Sequence, residues 1–275
     1  MVHAPVLAHS PHTTLTAIWA RRPEAAEALA TKNGAVVAAS FAALLDQCDA
    51  VAFAVPPMVQ AEMAVVAAKA GKTLLLEKPI AGDLAAAQRL VDAVDEAGVR
   101  TVVLLSWRFA QAVDDFLGEV AALGPLLGGR GAFVSGALLG GPFATPWRLE
   151  RGPLLDLGPH VVDLMDAALG PVVDVRATGD PLGYVSLALQ HESGASSTAA
   201  LCASSAVTPH IAEVAVYSKT GGAHINAAVV GDAVSMGNVA AALAAAARGE
   251  ATNAPDVHRG LHLQDVLEKA ERQLR

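Results

Sequence analysis

Residues Thr73–Pro79 read TLLLEKP and join a buried strand to a charged turn. The apolar run Leu74–Leu76 lacks polar alternation, which is typical of a strand buried on both faces of a parallel sheet. Pro79 has no backbone N–H to pair, so the strand ends before it. We therefore expect Glu77 and Lys78 at the carboxyl edge of the sheet, where open α/β folds bind their ligands. The alternative for Lys78 is an ordinary solvated position before a turn.

Three further short apolar runs occur in the first hundred residues, and stretches with helical spacing separate them. The strand-like runs are Leu15–Ala20, Ala50–Val55 and Thr101–Ser106. The helical stretches are Pro23–Lys32, Phe41–Gln47, Val59–Ala70 and Asp83–Ala97. This alternation predicts a doubly wound parallel sheet of the Rossmann type.

The pattern changes after about residue 110, where strand-like runs follow one another with little helix between them. These runs are Gly131–Leu139, Val172–Thr178, Tyr184–Gln190, Ser196–Cys202 and Ala212–Ser218. Consecutive strands joined by short turns predict a mainly antiparallel open sheet. The predicted fold class is therefore α/β, with a Rossmann-like domain over residues 1–110 and a second α/β domain over residues 111–275.

The start of the chain departs from a complete Rossmann domain. Residues Val2–His9 have helical character and lead directly to the first strand-like run. A dinucleotide-binding domain normally opens with a strand and a G-x-G-x-x-G turn, and neither precedes this helix. The parallel sheet is therefore expected to be N-terminally incomplete. Either residues upstream of Met1 carry the first strand, or the chain is a natural variant that has abandoned the nucleotide.

Charge and composition exclude several classes of protein. There are 19 Lys and Arg against 27 Asp and Glu, with no basic run, so neither nucleic acid nor an anionic membrane is an expected partner. No apolar stretch is long enough for a spanning helix, and no signal peptide is recognisable. Cys48 and Cys202 provide neither a disulfide framework nor a Cys-rich metal site. A cytoplasmic protein without a metal is the expectation.

A second group of candidate residues lies within Gly152–Asp163. Asp156 and His160 are four residues apart, which places them on one face if the segment is helical. A carboxylate beside an imidazole suits proton transfer at a substrate hydroxyl. The Gly158–Pro159 step either starts the helix or kinks it, which leaves the geometry of the pair open. Asp163 could also orient His160, although a solvated helix position is the favoured interpretation.

Two motifs in a fixed order connect the halves of the chain. The EKP tripeptide Glu77–Pro79 is followed about 80 residues later by D-x-G-x-H at Asp156–His160. Three shorter matches accompany them, namely Val55-Pro56-Pro57, Arg108 and Trp147-Arg148. In this set and order the chain resembles the Gfo/Idh/MocA oxidoreductases, and the resemblance covers most of its length.

The resemblance implies a dinucleotide-binding domain at residues 1–110 and a substrate-binding and oligomerisation domain at residues 111–275. It implies NAD(P)-dependent hydride transfer at a hydroxyl or carbonyl carbon of a sugar, polyol or diol. Lys78 would position substrate and nicotinamide, His160 would donate or accept the proton, and Asp156 would bind the reacting hydroxyl and tune His160. A cis Lys78–Pro79 bond and a homodimer or homotetramer formed through the C-terminal sheet are also implied.

The same resemblance assigns binding residues. Trp107 and Arg108 are expected to border the nicotinamide, with core packing of Trp107 as an equal alternative. Trp147 and Arg148 are expected to contact the substrate. The other residues expected to bind the cofactor are Val55, Pro56, Pro57, Glu77 and Lys78. Gln60 stands where the family often has a histidine, a departure that bears on cofactor or substrate contacts.

The residues after the first strand-like run bear on the choice of cofactor. An NAD enzyme would place an acidic residue there to bind the ribose 2′-hydroxyl, but the sequence is Ala20-Arg21-Arg22. Two guanidiniums suit a 2′-phosphate. The alternative is a pair of solvated arginines, although the positive end of a helix dipole disfavours cations. NADP is therefore predicted in preference to NAD.

The leading hypothesis is an NAD(P)-dependent oxidoreductase. The alternative is a non-catalytic family member, a sensor or scaffold, that has lost cofactor binding. Hydrolysis by Asp156 with another carboxylate has less support, because no second carboxylate is placed convincingly. Seven other histidines show no metal-ligand spacing and are interpreted as surface or structural residues; they are His9, His12, His191, His210, His224, His258 and His262.

Overall fold

The computed structural model of the chain describes residues 3–230 and 233–275. The chain divides into two compact units. Unit 1 comprises Met1–Leu104 and Met236–Gly260, and unit 2 comprises Leu105–Ser235 and Leu261–Arg275. This division differs from the predicted ranges 1–110 and 111–275, because a late segment returns to unit 1. There the backbone N–H of Val103 donates to the carbonyl of Pro255 at 2.7 Å.

The described part of unit 1 alternates short parallel strands with helices, as predicted. Its elements are α1 (His3–His9), β1 (Ala17–Ile18), α2 (Pro23–Asn33), β2 (Val36–Val37), α3 (Phe41–Leu45), β3 (Ala50–Ala52), α4 (Pro57–Lys69), β4 (Thr73–Leu76), α5 (Leu84–Ala97) and β5 (Thr101–Val103). Local signals set several boundaries: the Asp83 carboxylate accepts the Ala86 N–H at 2.7 Å and caps α5. The strand β2 was not predicted. Val2, which we expected in the first helix, lies outside the described residues.

The parallel strands form two separate sheets. β1 pairs with β2, and β3, β4 and β5 pair in that order. The Phe53 N–H donates to the Leu75 carbonyl at 3.0 Å. Because backbone groups alternate in direction along a strand, those of Ala50 and Ala52 point away from β4. In the described residues no strand pairs with this edge of β3, nor with the edge of β1 that lies opposite β2.

A cavity of about 1030 Å³ lies in unit 1 along these two open edges. Its lining includes the continuous segments 12–22, around β1, and 46–56, around β3. Cys48 belongs to this lining, and burial raises the pKa of its thiol, so the thiol is protonated at neutral pH. The parallel Rossmann-like arrangement is confirmed, and the gap between its two sheets agrees with the expected incomplete sheet.

Unit 2 is built on one six-stranded sheet with the order β11-β10-β6-β9-β8-β7. Its strands are β6 (Leu126–Val134), β7 (Val172–Gly179), β8 (Tyr184–His191), β9 (Ser196–Cys202), β10 (Ile211–Ser218) and β11 (Gly222–Asn226). All neighbouring pairs are antiparallel except β6 with β9. The mainly antiparallel sheet is therefore confirmed.

The helices that complete the chain are α6 (Gln111–Ala122), α7 (Pro146–Leu169), α8 (Ala233–Ala247) and α9 (Val257–Leu274). A short 3-10 helix spans Ser106–Phe109. Within residues 3–230 and 233–275, no helix combines the length and the apolar character needed to cross a bilayer.

Glycines of β6 bring α7 close to the sheet. A Cβ atom on Gly131 would lie 2.7 Å from Val161 Cγ1, and one on Gly129 would lie 3.2 Å from Leu169 Cδ1. The missing side chains therefore create the room in which α7 packs. Gly128 also lies inside β6, and a Cβ there would meet the backbone carbonyl oxygen of Ser196 on the neighbouring strand β9.

The open edge of β3 predicts a contrast in amide exchange between neighbouring residues. The amides of Ala50 and Ala52 should exchange with deuterium roughly 100-fold faster than that of Phe53, which is bonded to β4. Exchange followed by NMR at two protein concentrations measures this. Equal protection of Ala52 and Phe53 at both concentrations would contradict the open edge.

Candidate functional site

The residues predicted to bind the nucleotide lie at the carboxyl ends of two parallel strands. Ala20, Arg21 and Arg22 follow β1, and Val55 and Pro56 follow β3; all five line the cavity of unit 1. Both arginines are exposed at the start of α2, and Arg22 makes no side-chain cap there. Ligand pockets commonly have volumes of roughly 300–1,000 Å³. The rim of the cavity at these strand ends, with its two guanidiniums, therefore suits the phosphates of a dinucleotide.

The segment that follows β4 carries Glu77 and Lys78, both half-buried. The Lys78–Pro79 peptide bond is cis, as the resemblance implied. The Glu77 carboxylate Oε1 lies 2.8 Å from His3 Nε2, and His3 is buried on α1. Sequence reasoning did not find His3, since no local pattern connects two residues 74 positions apart. Glu77, which we expected to bind the cofactor, thus has its carboxylate held by a histidine.

Pro57 and Gln60 lie in the first turns of α4 and are both buried. Pro57 is the first residue of that helix, where a proline fits because no intrahelical N–H bond is needed. The Gln60 amide bonds to the backbone of the Glu77–Ile80 segment. The departure noted in the sequence therefore lies beside Lys78.

In unit 2 the candidate residues Asp156 and His160 lie on α7. The helix is interrupted at Gly152, where φ is 68° and ψ is −166°, and Pro153 starts the continuous part. Gly158 and Pro159 lie within that part without breaking it. The expectation of one shared helical face is therefore met for Asp156 and His160, and the break is seven residues before Pro159.

The break at Gly152 turns the first part of α7 back toward Asp156. Arg148 Nε lies 3.1 Å from Asp156 Oδ1, whereas eight residues of straight helix span about 12 Å. The Arg148 guanidinium also lies over the Trp147 ring at 5.2 Å. Arg148, which we expected at the substrate with Trp147, is thereby placed against the candidate catalytic carboxylate, and Trp147 lies against Arg148.

Aromatic rings surround the His160 imidazole. The centroid of Trp107 is 5.4 Å from that of His160 and 5.4 Å from that of Phe133, and Phe133 is 6.3 Å from His160. Trp107 is buried and packs as a core residue. Its ring also contacts the candidate imidazole. Trp107 and Arg108 belong to unit 2, although the predicted boundary at residue 110 placed them in the first domain.

Asp163 was expected at a solvated helix position, and this was wrong. Its side chain is buried, and its Oδ1 lies 3.3 Å from Arg108 Nη1. Burial of a carboxylate requires a compensating cation, which Arg108 supplies. The Arg108 guanidinium, which we expected near the nicotinamide, is therefore engaged with α7.

Histidines outside the candidate site have structural partners. Buried His191 bonds through Nδ1 to the Gly170 carbonyl at 2.6 Å and through Nε2 to Ser197 Oγ at 2.7 Å. His262 Nε2 lies 3.0 Å from Asp166 Oδ2. In the part of the chain that the structure describes, no three His, Cys, Asp or Glu residues are grouped so that they could hold a metal ion.

Residues 1–105 match the family profile described as an oxidoreductase family with an NAD-binding Rossmann fold. A dTDP-3,4-didehydro-2,6-dideoxy-alpha-D-glucose 3-reductase of Streptomyces violaceoruber is 31 % identical over 179 residues, which are 62 % of this chain and 52 % of the reductase. The levoglucosan dehydrogenase of Pseudarthrobacter phenanthrenivorans is 29 % identical over 132 residues, 45 % of this chain and 34 % of that enzyme. The chain thus spans about half the length, or less, of these curated relatives.

Solved structures share the fold over nearly the whole chain. GenD2 from gentamicin A biosynthesis, in complex with NAD, has a TM-score of 0.87 at 22 % identity and covers 99 % of this chain and 90 % of its own. The WlbA dehydrogenase from Bordetella pertussis, in complex with NADH and UDP-GlcNAcA, has a TM-score of 0.84 at 22 % identity, with 99 % and 91 % covered. At this identity the likeness concerns the fold alone.

The break in α7 predicts that Gly152→Ala is strongly destabilising. The backbone angles of Gly152 suit glycine alone, and a Cβ there would lie 2.0 Å from the Pro181 carbonyl oxygen. We expect a loss of unfolding free energy of roughly 3 kcal/mol or more, measured by urea denaturation. Gly194→Ala is the matched control, because Gly194 has φ +85° and no atom within 4 Å of its Cβ position. A loss no larger than that of the control would contradict the close approach.

Proposed function

We propose that the chain is a Gfo/Idh/MocA oxidoreductase that transfers a hydride between NAD(P) and a hydroxyl or carbonyl carbon of a sugar, polyol or diol. The observation that carries the proposal is the cavity of unit 1, whose rim combines the carboxyl ends of two parallel strands with two exposed guanidiniums. The names of the relatives, a dTDP-sugar reductase and a levoglucosan dehydrogenase, support a sugar-like substrate.

The proposed roles of the reacting side chains follow from their chemistry. His160 accepts the hydroxyl proton when the substrate is oxidised and returns a proton when a carbonyl is reduced. Asp156 binds the reacting hydroxyl and tunes His160. The Lys78 ammonium donates a hydrogen bond that positions substrate and nicotinamide. A bound nicotinamide would supply the hydride acceptor or donor for this exchange.

The proposed contacts with the cofactor extend along the cavity and beyond it. In unit 1 they involve the residues after β1, β3 and β4, namely Ala20, Arg21, Arg22, Val55, Pro56, Pro57, Glu77 and Lys78. In unit 2 Trp107 and Arg108 are proposed to border the nicotinamide. Trp147 and Arg148 are proposed to contact the substrate, a role that the Arg148–Asp156 pair supports.

We further propose a cytoplasmic protein that forms a homodimer or homotetramer through the sheet of unit 2. Strands of that sheet expose large apolar side chains, a feature typical of a surface that another subunit covers. They are Val173 on β7, Tyr184 on β8, and Ile211 and Tyr217 on β10.

Substitution of the proposed catalytic residues tests the activity. His160→Ala and Lys78→Met should each lower kcat by roughly 10²–10⁴-fold, because each removes a group that acts on the reacting atoms. The assay follows nicotinamide absorbance at 340 nm with a panel of sugars and polyols. His224→Gln and Lys69→Met are the matched controls, since both side chains are exposed. Absence of both cofactor binding and turnover in the unsubstituted chain would overturn the proposal and favour the non-catalytic alternative.

Substitution of the rim arginines tests the preference for NADP. We expect the double variant Arg21→Ala, Arg22→Ala to lower NADPH affinity about tenfold or more, because two charge-assisted contacts to the 2′-phosphate are lost. NADH affinity should change less than about threefold. Quenching of tryptophan fluorescence on titration measures both, since Trp19 lines the same cavity. Equal losses for NADPH and NADH would contradict a specific 2′-phosphate contact.

A further inference from the structure

The buried side-chain amide of Gln60 bonds through both its nitrogen and its oxygen to the segment that carries Lys78. Its Nε2 donates to the Glu77 carbonyl at 2.8 Å and to the Ile80 carbonyl at 3.1 Å. Its Oε1 accepts the backbone N–H of Glu77 at 2.8 Å. The side chain is 0 % exposed, so water does not compete for these bonds. Three backbone groups on the two sides of Lys78 therefore depend on one residue of α4.

The bonds from Gln60 pair backbone groups that lie beyond the end of β4, where the sheet offers them no partner strand. β4 ends at Leu76, so the backbone of Glu77 has left the ladder of strands. Buried backbone groups without partners cost free energy, and a side chain that pairs them stabilises one local conformation. A carboxamide offers two donor hydrogens and an acceptor without carrying charge, whereas a carboxylate only accepts, an ammonium only donates and a hydroxyl has one donor hydrogen.

Other contacts hold the same segment from different sides. His3 Nε2 lies 2.8 Å from the Glu77 carboxylate. The side chain of Ile80 is buried, and a Cβ on Gly260 would lie 2.5 Å from its Cγ2, which leaves Ile80 little room to move. The residues before and after the Lys78–Pro79 bond are thus held by side chain as well as backbone. Gln60 is the member of this set that binds backbone on both sides.

We propose that Gln60 is a positioning residue that fixes the backbone around Lys78 and so holds the lysine in its working position. The proposal rests on the proposed function, because its consequence is expressed in turnover. The carboxamide does not titrate at physiological pH, so the bonds persist as pH changes. A histidine in place of Gln60 would differ in this respect. Its neutral imidazole offers one donor and one acceptor, and its protonated form offers two donors and no acceptor.

Amide exchange at Glu77 tests the positioning directly, without any cofactor. In the full chain this amide should be protected, and Gln60→Met should raise its exchange rate about tenfold or more, because the acceptor is lost. Gln88→Met is the matched control: Gln88 is exposed on α5 and donates to Asp92 at 2.8 Å. Leu90→Ala, a core substitution in the same unit, controls for loss of global stability.

Turnover tests the consequence for Lys78. We expect Gln60→Met to lower kcat about tenfold or more and to change KM for the cofactor less than about threefold. If Leu90→Ala lowers Tm by as much as Gln60→Met does, Leu90→Ala should still keep the kcat of the unsubstituted chain.

Gln60→His supplies a second variant and a pH signature. Its kcat relative to the unsubstituted chain should be retained near pH 8 and should fall as pH drops through about 6.5, where an imidazole loses its acceptor. The segment that Gln60 binds carries the titratable groups Glu77 and Lys78, and His3 on α1 contacts Glu77. Dividing by the activity of the unsubstituted chain at each pH removes their shared contribution. If Gln60→Met does not fold, this variant alone decides.

Two results would overturn the proposal. One is unchanged exchange at Glu77 in Gln60→Met; the other is faster exchange with an unaltered kcat, which would show that the segment need not be held. If the unsubstituted chain shows no turnover with either cofactor, the proposed function fails separately. Amide exchange at Glu77 then decides by itself whether Gln60 holds the segment. Faster exchange in Gln60→Met than in the unsubstituted chain would support this, and equal exchange would refute it.

Discussion

Charge compensation on α7 is the constraint on which unit 2 depends. Asp156, Asp163 and Asp166 are only 5 %, 1 % and 3 % exposed, and an unpaired carboxylate at such positions would cost several kcal/mol. The side chains that lie against these carboxylates are Arg148, Arg108 and His262 respectively. They come from the start of α7, a short 3-10 helix and α9, so elements far apart in sequence must assemble before the helix can bury its acidic residues. The candidate proton-transfer pair lies on this same helix.

Unit 1 meets a different requirement, which is to satisfy backbone groups where strands end or lack a neighbour. The Gln60 amide does this for the turn after β4. Along the facing edges of β1 and β3 the described residues provide no strand, and a cavity lies there instead. The positions at the carboxyl ends of these strands still converge on one rim. This rim is where we propose that the dinucleotide binds.

Local patterns predicted most of the architecture, because short apolar runs and capping residues act over a few positions. Asp83 and the apolar run before Glu77 are examples. Pairings across long distances in sequence left no local trace, so burial of Asp163 against Arg108 and the bond from His3 to Glu77 were missed. The break at Gly152 was also missed, because the Pro181 carbonyl oxygen that excludes a side chain there is distant in sequence, and Pro159 suggested a different place for a break.

The glycines of β6 have a consequence for how the catalytic properties of such a chain can change. Gly131 faces Val161, the residue next to His160 on α7, across a gap that admits no methyl group. A larger residue on the strand would push the helix outward and carry the imidazole with it. A substitution on the strand could therefore shift the imidazole that we propose as the proton donor and acceptor, while every proposed catalytic side chain stays the same.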